Sequence, residues 1–90
     1  MNFNELEVEF DGRIVRRNQL WRHQNGDDYW VMAVGNVRIS PERTSEYPPT
    51  VVYVSLKPKD VYCRQIKEFL AKRSLMADVY EADPTSLGAN

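Results

Sequence analysis

Leu20-Trp21-Arg22-His23-Gln24-Asn25-Gly26-Asp27-Asp28-Tyr29-Trp30-Val31 is the stretch on which the fold turns. Asn-Gly between two apolar runs is the strongest short signal for a β-hairpin with a two-residue turn, because both turn residues must take positive φ. With Asn25 and Gly26 as that turn, Gln24 faces Asp27, His23 faces Asp28, Arg22 faces Tyr29 and Trp21 faces Trp30. Both tryptophans then share a face with the single histidine and an aspartate. Trp21, Arg22, His23, Asp28 and Trp30 therefore form the core of a candidate ligand-binding site.

Upstream, Leu6-Glu7-Val8-Glu9-Phe10 alternates strictly, as a half-buried strand does. Asp11-Gly12 is a turn, and Arg13-Ile14-Val15-Arg16-Arg17 returns. A two-residue loop sets Val8 opposite Val15 and Glu7 opposite Arg16, both favourable pairs across an antiparallel ladder. Downstream, Tyr29 to Val34 is apolar on both faces and predicts a central strand. Gly35-Asn36 reads as a bulge or bend, with Val37-Arg38-Ile39 continuing the strand. Ser40 to Thr50 holds Pro41, Pro48 and Pro49 and predicts an exposed loop, longer than usual.

Thr50 to Leu56 is a strand by composition, Lys57 to Asp60 a turn, and Val61 to Arg64 a short strand. Gln65 to Arg73 predicts a helix with Ile66, Phe69 and Leu70 on its apolar face. Leu75 to Tyr80 fits either a strand or a continued helical stripe. Residues 1–80 read as one domain and 81–90 as a loosely held tail. The fold class is mainly β, a small α+β domain. It is either a strongly bent antiparallel sheet or an SH3-like, partly closed barrel, with one short C-terminal helix.

The chain has 90 residues, 42% of them apolar and 28% charged, with a net charge of −1. That suffices for one core and disfavours a general duplex-DNA binder, which needs a basic excess. Arginines outnumber lysines by eight to four, a bias suited to anion recognition as well as to ordinary surface pairing. One cysteine, Cys63, cannot form an internal disulfide, so a reducing, cytoplasmic setting is expected. The N-terminus lacks the pattern of a signal peptide. No apolar run approaches the roughly 20 residues that span a bilayer, so no membrane partner is expected.

Leu20-Trp21-Arg22-His23 with Gly26, Tyr29 and Val31 resembles the start of a small bacterial and phage domain family of unknown function, which reads Y-R-H-x-x-G and then Y-x-V. Val51-Val52-Tyr53 resembles that family's V-V-Y block. Val61-Tyr62-Cys63-Arg64-Gln65-Ile66-Lys67-Glu68-Phe69 resembles its V-R-P-L-x-x-F end. Trp21 replaces the family's Tyr, Gln65 its Pro, and the Ser40–Thr50 loop is longer. The resemblance implies a compact, non-enzymatic β domain of mobile genetic elements, with no established activity. Tyr53 and Arg64, in the matched blocks, complete the candidate ligand-binding set.

His23 held by Asp28 would be oriented as a general base is, but no partner nucleophile stands nearby in sequence. Cys63 could form a Cys–His pair; as a small hydrophobe it is expected to be buried. One Cys and one His cannot supply a zinc site, and neither a metal nor a cofactor is expected. Trp21 and Trp30 are either core, packed against Ile66, Phe69 and Leu70, or an exposed platform. As a platform beside Arg13, Arg16, Arg17 and Arg22, they would stack a nucleotide-like anion or a single nucleic-acid strand.

Function is accordingly expected to be non-enzymatic binding in the host cytoplasm by a phage or mobile-element accessory, counter-defence protein. Its target is a host or defence protein, or a nucleotide-derived signal that it sequesters. A homo-oligomer, first of all a dimer, is expected. The alternatives are a nucleic-acid-binding small β-barrel and a small hydrolase using His23.

Overall fold

The computed structural model describes residues 7–79; Leu6, Tyr80 and the predicted tail 81–90 lie outside them. Seven strands and one helix follow in order. They are β1 (Glu7–Phe10), β2 (Arg13–Arg16), β3 (Leu20–His23), β4 (Asp28–Gly35), β5 (Thr50–Ser55), β6 (Val61–Gln65), α1 (Ile66–Ala71) and β7 (Arg73–Ala77). β1 and β2 form a separate two-stranded hairpin, and the other five strands form a sheet ordered β6-β5-β4-β3-β7. Every neighbouring pair is antiparallel. β4 lies at the centre of the sheet, as its apolar character on both faces predicts.

The first hairpin has the expected register, with Val8 opposite Val15 and Glu7 opposite Arg16. Asp11 and Gly12 both take positive φ, 56° and 79°, the signature of a primed two-residue turn. The second hairpin departs from expectation by one residue. Leu20 pairs with Trp30, Trp21 with Tyr29 and Arg22 with Asp28.

The cause of that shift is local. Gly26 takes φ 98° and Asn25 does not take positive φ. The His23 N–H donates to Asp27 O at 2.8 Å and the Gly26 N–H donates to His23 O at 2.8 Å. This is a three-residue loop ending on a glycine bulge, not a primed two-residue turn. Side chains hold it: Asn25 Oδ1 accepts from the Asp27 N–H at 2.9 Å, and His23 Nδ1 accepts from the Asn25 N–H at 3.0 Å. Such local side-chain bonds compete with other turn geometries. A one-residue slip sends cross-strand partners to opposite faces. Trp21 and Trp30 therefore do not share a face.

The ladders slip by one residue at Met32 in β4 and at Met76 in β7, and bulges of this kind bend strands and increase twist. α1 joins β6 to β7, which are opposite edges of the sheet. Its six residues rise about 9 Å, whereas five flat strands span about 19 Å. The sheet therefore curls around the helix. It stays open, with β6 and β7 as unjoined edges, so of the two expected forms the bent sheet is the one present.

The concave face carries the core. Trp21, Val31, Val34, Val51 and Tyr53 pack against Ile66, Phe69 and Leu70, with Val8 and Val15 of the hairpin completing the cluster. Trp21 meets Phe69 edge-on at 5.4 Å. Trp30 and Val54 pair on the opposite face and are buried there, outside that cluster. Both tryptophans are thus interior, and no exposed tryptophan platform exists.

Other expectations are corrected. β4 ends at Gly35 and Asn36 turns the chain with φ 60°, so residues 37–39 do not extend it. The helix covers Ile66–Ala71, shorter than predicted, with Ile66, Phe69 and Leu70 buried as its pattern requires. Leu75 to Ala77 belongs to a strand, because β3 offers it a ladder. Cys63 is exposed, since β6 is an edge strand exposed along its whole length. The 40–47 loop is exposed and holds one 3-10 turn, Pro41–Arg43.

Candidate functional site

The His23–Asp28 pair predicted from sequence does not form. Asp28 pairs with Arg22: Nε donates to Oδ1 at 2.7 Å and Nη2 to Oδ2 at 3.2 Å. The hydrogen bond and charge of Asp28 hold the Arg22 guanidinium above its ordinary pKa. His23 lies on the other face, opposite Arg73 of β7. Without its carboxylate, the imidazole loses the orienting group a general base needs.

What the fold assembles instead is a cleft of about 330 Å³ at the corner where β6 passes through α1 into β7. It is lined by His23, Arg64, Glu68, Ala71, Lys72 and Arg73. Curling of the sheet brings the end of β6 and the start of β7 to this corner. Arg64 at the end of β6 and Glu68 in α1 are four residues apart in sequence, 4.0 Å at closest approach and both well exposed, so their mutual attraction is weak. Three fixed cations and a histidine thus face one carboxylate.

Arg73 is the unusual member, with only 8% of its surface exposed. Its guanidinium carbon sits 4.9 Å from the Tyr29 ring, 5.0 Å from Tyr53 and 4.9 Å from Phe69. Nη1 donates to Phe69 O at 3.3 Å and Nη2 to the Tyr53 hydroxyl at 3.2 Å. Its buried Nε has no hydrogen-bond partner. Among the described residues no carboxylate pairs with it. Buried charges are ordinarily paired; this one is held by ring quadrupoles and two neutral acceptors.

Tyr62, 43% exposed, stacks on Tyr53 at 5.8 Å and 28°, extending the aromatic wall to the edge of the sheet. Burial, above all, raises the Tyr29 hydroxyl pKa, against the lowering effect of Arg73.

Of the seven candidate residues, His23 and Arg64 meet at the cleft. Tyr53 stands behind it, buried, as the acceptor for Arg73. Trp21 and Trp30 are core, and Arg22 and Asp28 neutralise each other on the opposite face. The predicted arginine surface is largely consumed by structure. Arg13 donates to Leu70 O at 2.9 Å and Arg73 O at 2.6 Å, and lies over Trp21 at 5.3 Å. Arg16 pairs with Asp78.

Arg73, Lys72, Glu68 and Tyr62 were not singled out by sequence. The available signals were the Arg64–Glu68 spacing and the dibasic Lys72-Arg73 just past the helix.

A second cavity of about 330 Å³, between the β1–β2 hairpin and β7, contains Arg13, Arg16, Gln19 and Asp78. Its polar groups largely bond one another, which leaves it little to offer a ligand. Among the described residues no group of three His, Cys, Asp or Glu could hold a metal. No helix among them is long and apolar enough to cross a membrane.

Fold and site together define a small, open, antiparallel β domain curled around one helix, with a cationic cleft at its corner. Compared with known proteins, the chain matches no family model, no curated sequence and no solved structure.

Proposed function

We propose that the chain is a non-enzymatic binding module whose corner cleft takes the phosphate of a small, nucleotide-like ligand. The observation that carries this is Arg73, a buried cation that has no carboxylate partner among the described residues and whose Nε has no hydrogen-bond partner among them. An anion in the cleft would pair that charge and meet His23, Arg64 and Lys72 around it. Hydrogen bonds to charged groups are the strong ones. The cleft volume falls at the lower end of small-ligand pockets, and exposed Tyr62 offers a ring for a base at the sheet edge.

Enzymatic turnover is disfavoured by the same geometry. His23 lacks an orienting carboxylate, and Cys63, paired with Val52 rather than with a core-facing residue, is on the face away from the cleft. In a phage or mobile element such a module would act by sequestering a nucleotide-derived signal of its host.

The test is calorimetric titration with nucleoside monophosphates, cyclic nucleotides and inorganic pyrophosphate, on the wild type and on Arg73→Met. Loss of one charge-assisted bond should weaken binding at least roughly tenfold, about 1.4 kcal/mol, and added salt should weaken the wild type. Absence of heat from every phosphorylated probe sinks the proposal.

A further inference from the structure

The open edge of the sheet has a partner written into its own sequence. The backbone bonds flanking β6 fix which of its groups face outward. Ser55 N–H donates to Asp60 O at 2.9 Å, and Ile66 N–H donates to Pro49 O at 2.9 Å. The ladder between them is unbroken. Antiparallel partners alternate between bonded and non-bonded pairs. Tyr62 and Arg64 therefore direct their N–H and C=O groups toward β5. Val61, Cys63 and Gln65 direct theirs away from the sheet, where the whole strand is exposed.

The other edge is partly covered at its start. Gln24 N–H bonds Lys72 O, so by the same alternation Arg73 presents its backbone outward. Its carbonyl accepts from Arg13 Nη2 at 2.6 Å. Side chains of the β1–β2 hairpin thus reach the β7 edge at Arg73 and just past it at Asp78, whereas β6 is exposed along its whole length.

We propose that two copies of the chain associate through β6, antiparallel and two-fold symmetric about Cys63. In that register Val61 faces Gln65 of the partner subunit, Cys63 faces the partner's Cys63, and Tyr62 faces the partner's Arg64. The outward groups of residues 61, 63 and 65 then form about six backbone hydrogen bonds across the dyad. Tyr62 and Arg64 fall in non-bonded pairs, where side chains approach most closely, and a guanidinium over a tyrosine ring is attractive.

The complementarity is with the strand itself, which is what a two-fold interface requires. β6 has neither a proline nor a bulge to discourage such pairing. Tyr62 and Arg64 lie on the cleft face, because their partners Tyr53 and Val51 are core. The partner's Tyr62 would therefore stand beside Arg64 at the cleft mouth. The dimer itself does not depend on the proposed ligand.

Sedimentation equilibrium over a wide concentration range tests this on the ligand-free chain. The expected mass rises from one chain to two with concentration. A short bifunctional thiol reagent should join Cys63 to the partner's Cys63 in native protein and not in urea. Cys63→Lys sets two like charges across the dyad and should leave a single-chain mass. Cys63→Pro removes only an outward N–H and should do the same; should it fail to fold by circular dichroism, Cys63→Lys decides at an exposed side chain. A single-chain mass at the highest concentration overturns the proposal. So does a dimer that survives Cys63→Lys.

Discussion

Replacing Gln19 with leucine should destabilise the domain far more than its near-equal volume suggests. Gln19 is 1% exposed, and its amide is fully used. Oε1 accepts from the Arg16 N–H at 2.9 Å and from Trp21 Nε1 at 2.9 Å. Nε2 donates to Ile14 O at 3.1 Å and Asp78 Oδ1 at 2.9 Å. Leucine leaves three of these partners without a bond inside the structure, while exposed Asp78 can turn to water. Each orphaned buried group costs about 1–3 kcal/mol, toward the lower end where partly exposed. Burying a leucine returns about 1.5–3 kcal/mol. The net loss is about 2–4 kcal/mol, large against the roughly 5–13 kcal/mol expected for a chain of this length. At about 4–8 °C per kcal/mol the melting temperature should fall by about 8–32 °C. Urea titration followed by tryptophan fluorescence, with calorimetry alongside, measures it. Because Gln19 ties β2 to β3 and to Asp78 just past β7, amides of β1 and β2 should also lose exchange protection first. A Gln19→Leu protein within about 1 kcal/mol of wild type, less than a typical buried hydrogen-bond loss, refutes the bookkeeping.

The hydrogen bond from Gln19, and then that from Arg16, hold the Asp78 carboxyl below its ordinary pKa. A lowered folded-state value adds stability above the ordinary carboxylate pKa of about 4 and loses it as pH falls through the folded value. Asp78→Asn should therefore flatten the acid limb of melting temperature against pH; an unchanged limb contradicts the assignment. Gly26→Ala should cost about 1 kcal/mol or more by thermal melting. An added Cβ there meets nothing within 4 Å, so the whole cost lies in φ 98°; a neutral substitution would mean that the loop re-forms. Arg73→Met should stay folded while losing anion affinity, since exchanging an unpaired buried charge for an apolar side chain is often neutral or stabilising. A collapse in its melting temperature would make the charge a structural rivet.

What was legible in the sequence was what local pattern decides. Asp11-Gly12 between alternating runs fixed the first hairpin down to its pairs, because the turn type sets the register. The central place of β4 followed from its unbroken apolar run, and the inner face of α1 from Ile66, Phe69 and Leu70. The second hairpin was visible but its register was not. Asn-Gly admits more than one loop, and here Asn25 Oδ1 and His23 Nδ1 bond the backbone of the longer one. The cleft was half legible. His23 and Arg64 are named by residue type, but Arg73 joins them only because β7 crosses over α1 to pair with β3, a contact between residues 50 apart in sequence. Cys63 misled for a related reason: composition cannot say which strand forms the edge.

The one-residue shift in the hairpin has a functional consequence that residue identity hides. With His23 opposite Asp28, the imidazole would sit with a carboxylate and Arg22 would be left unpaired. In the register present, Arg22 and Asp28 cancel on one face, while Trp21 and His23 occupy the other beside Arg73. The same slip that buries Trp21 in the core removes the carboxylate from the histidine and gives it an arginine neighbour. It turns a catalytic-looking pair into part of a cationic surface. His23 helps to set this outcome, since its Nδ1 accepts the loop N–H that holds the register. The nitrogen that stabilises the loop is thereby occupied, which leaves Nε2 as the imidazole position for any contact with a ligand.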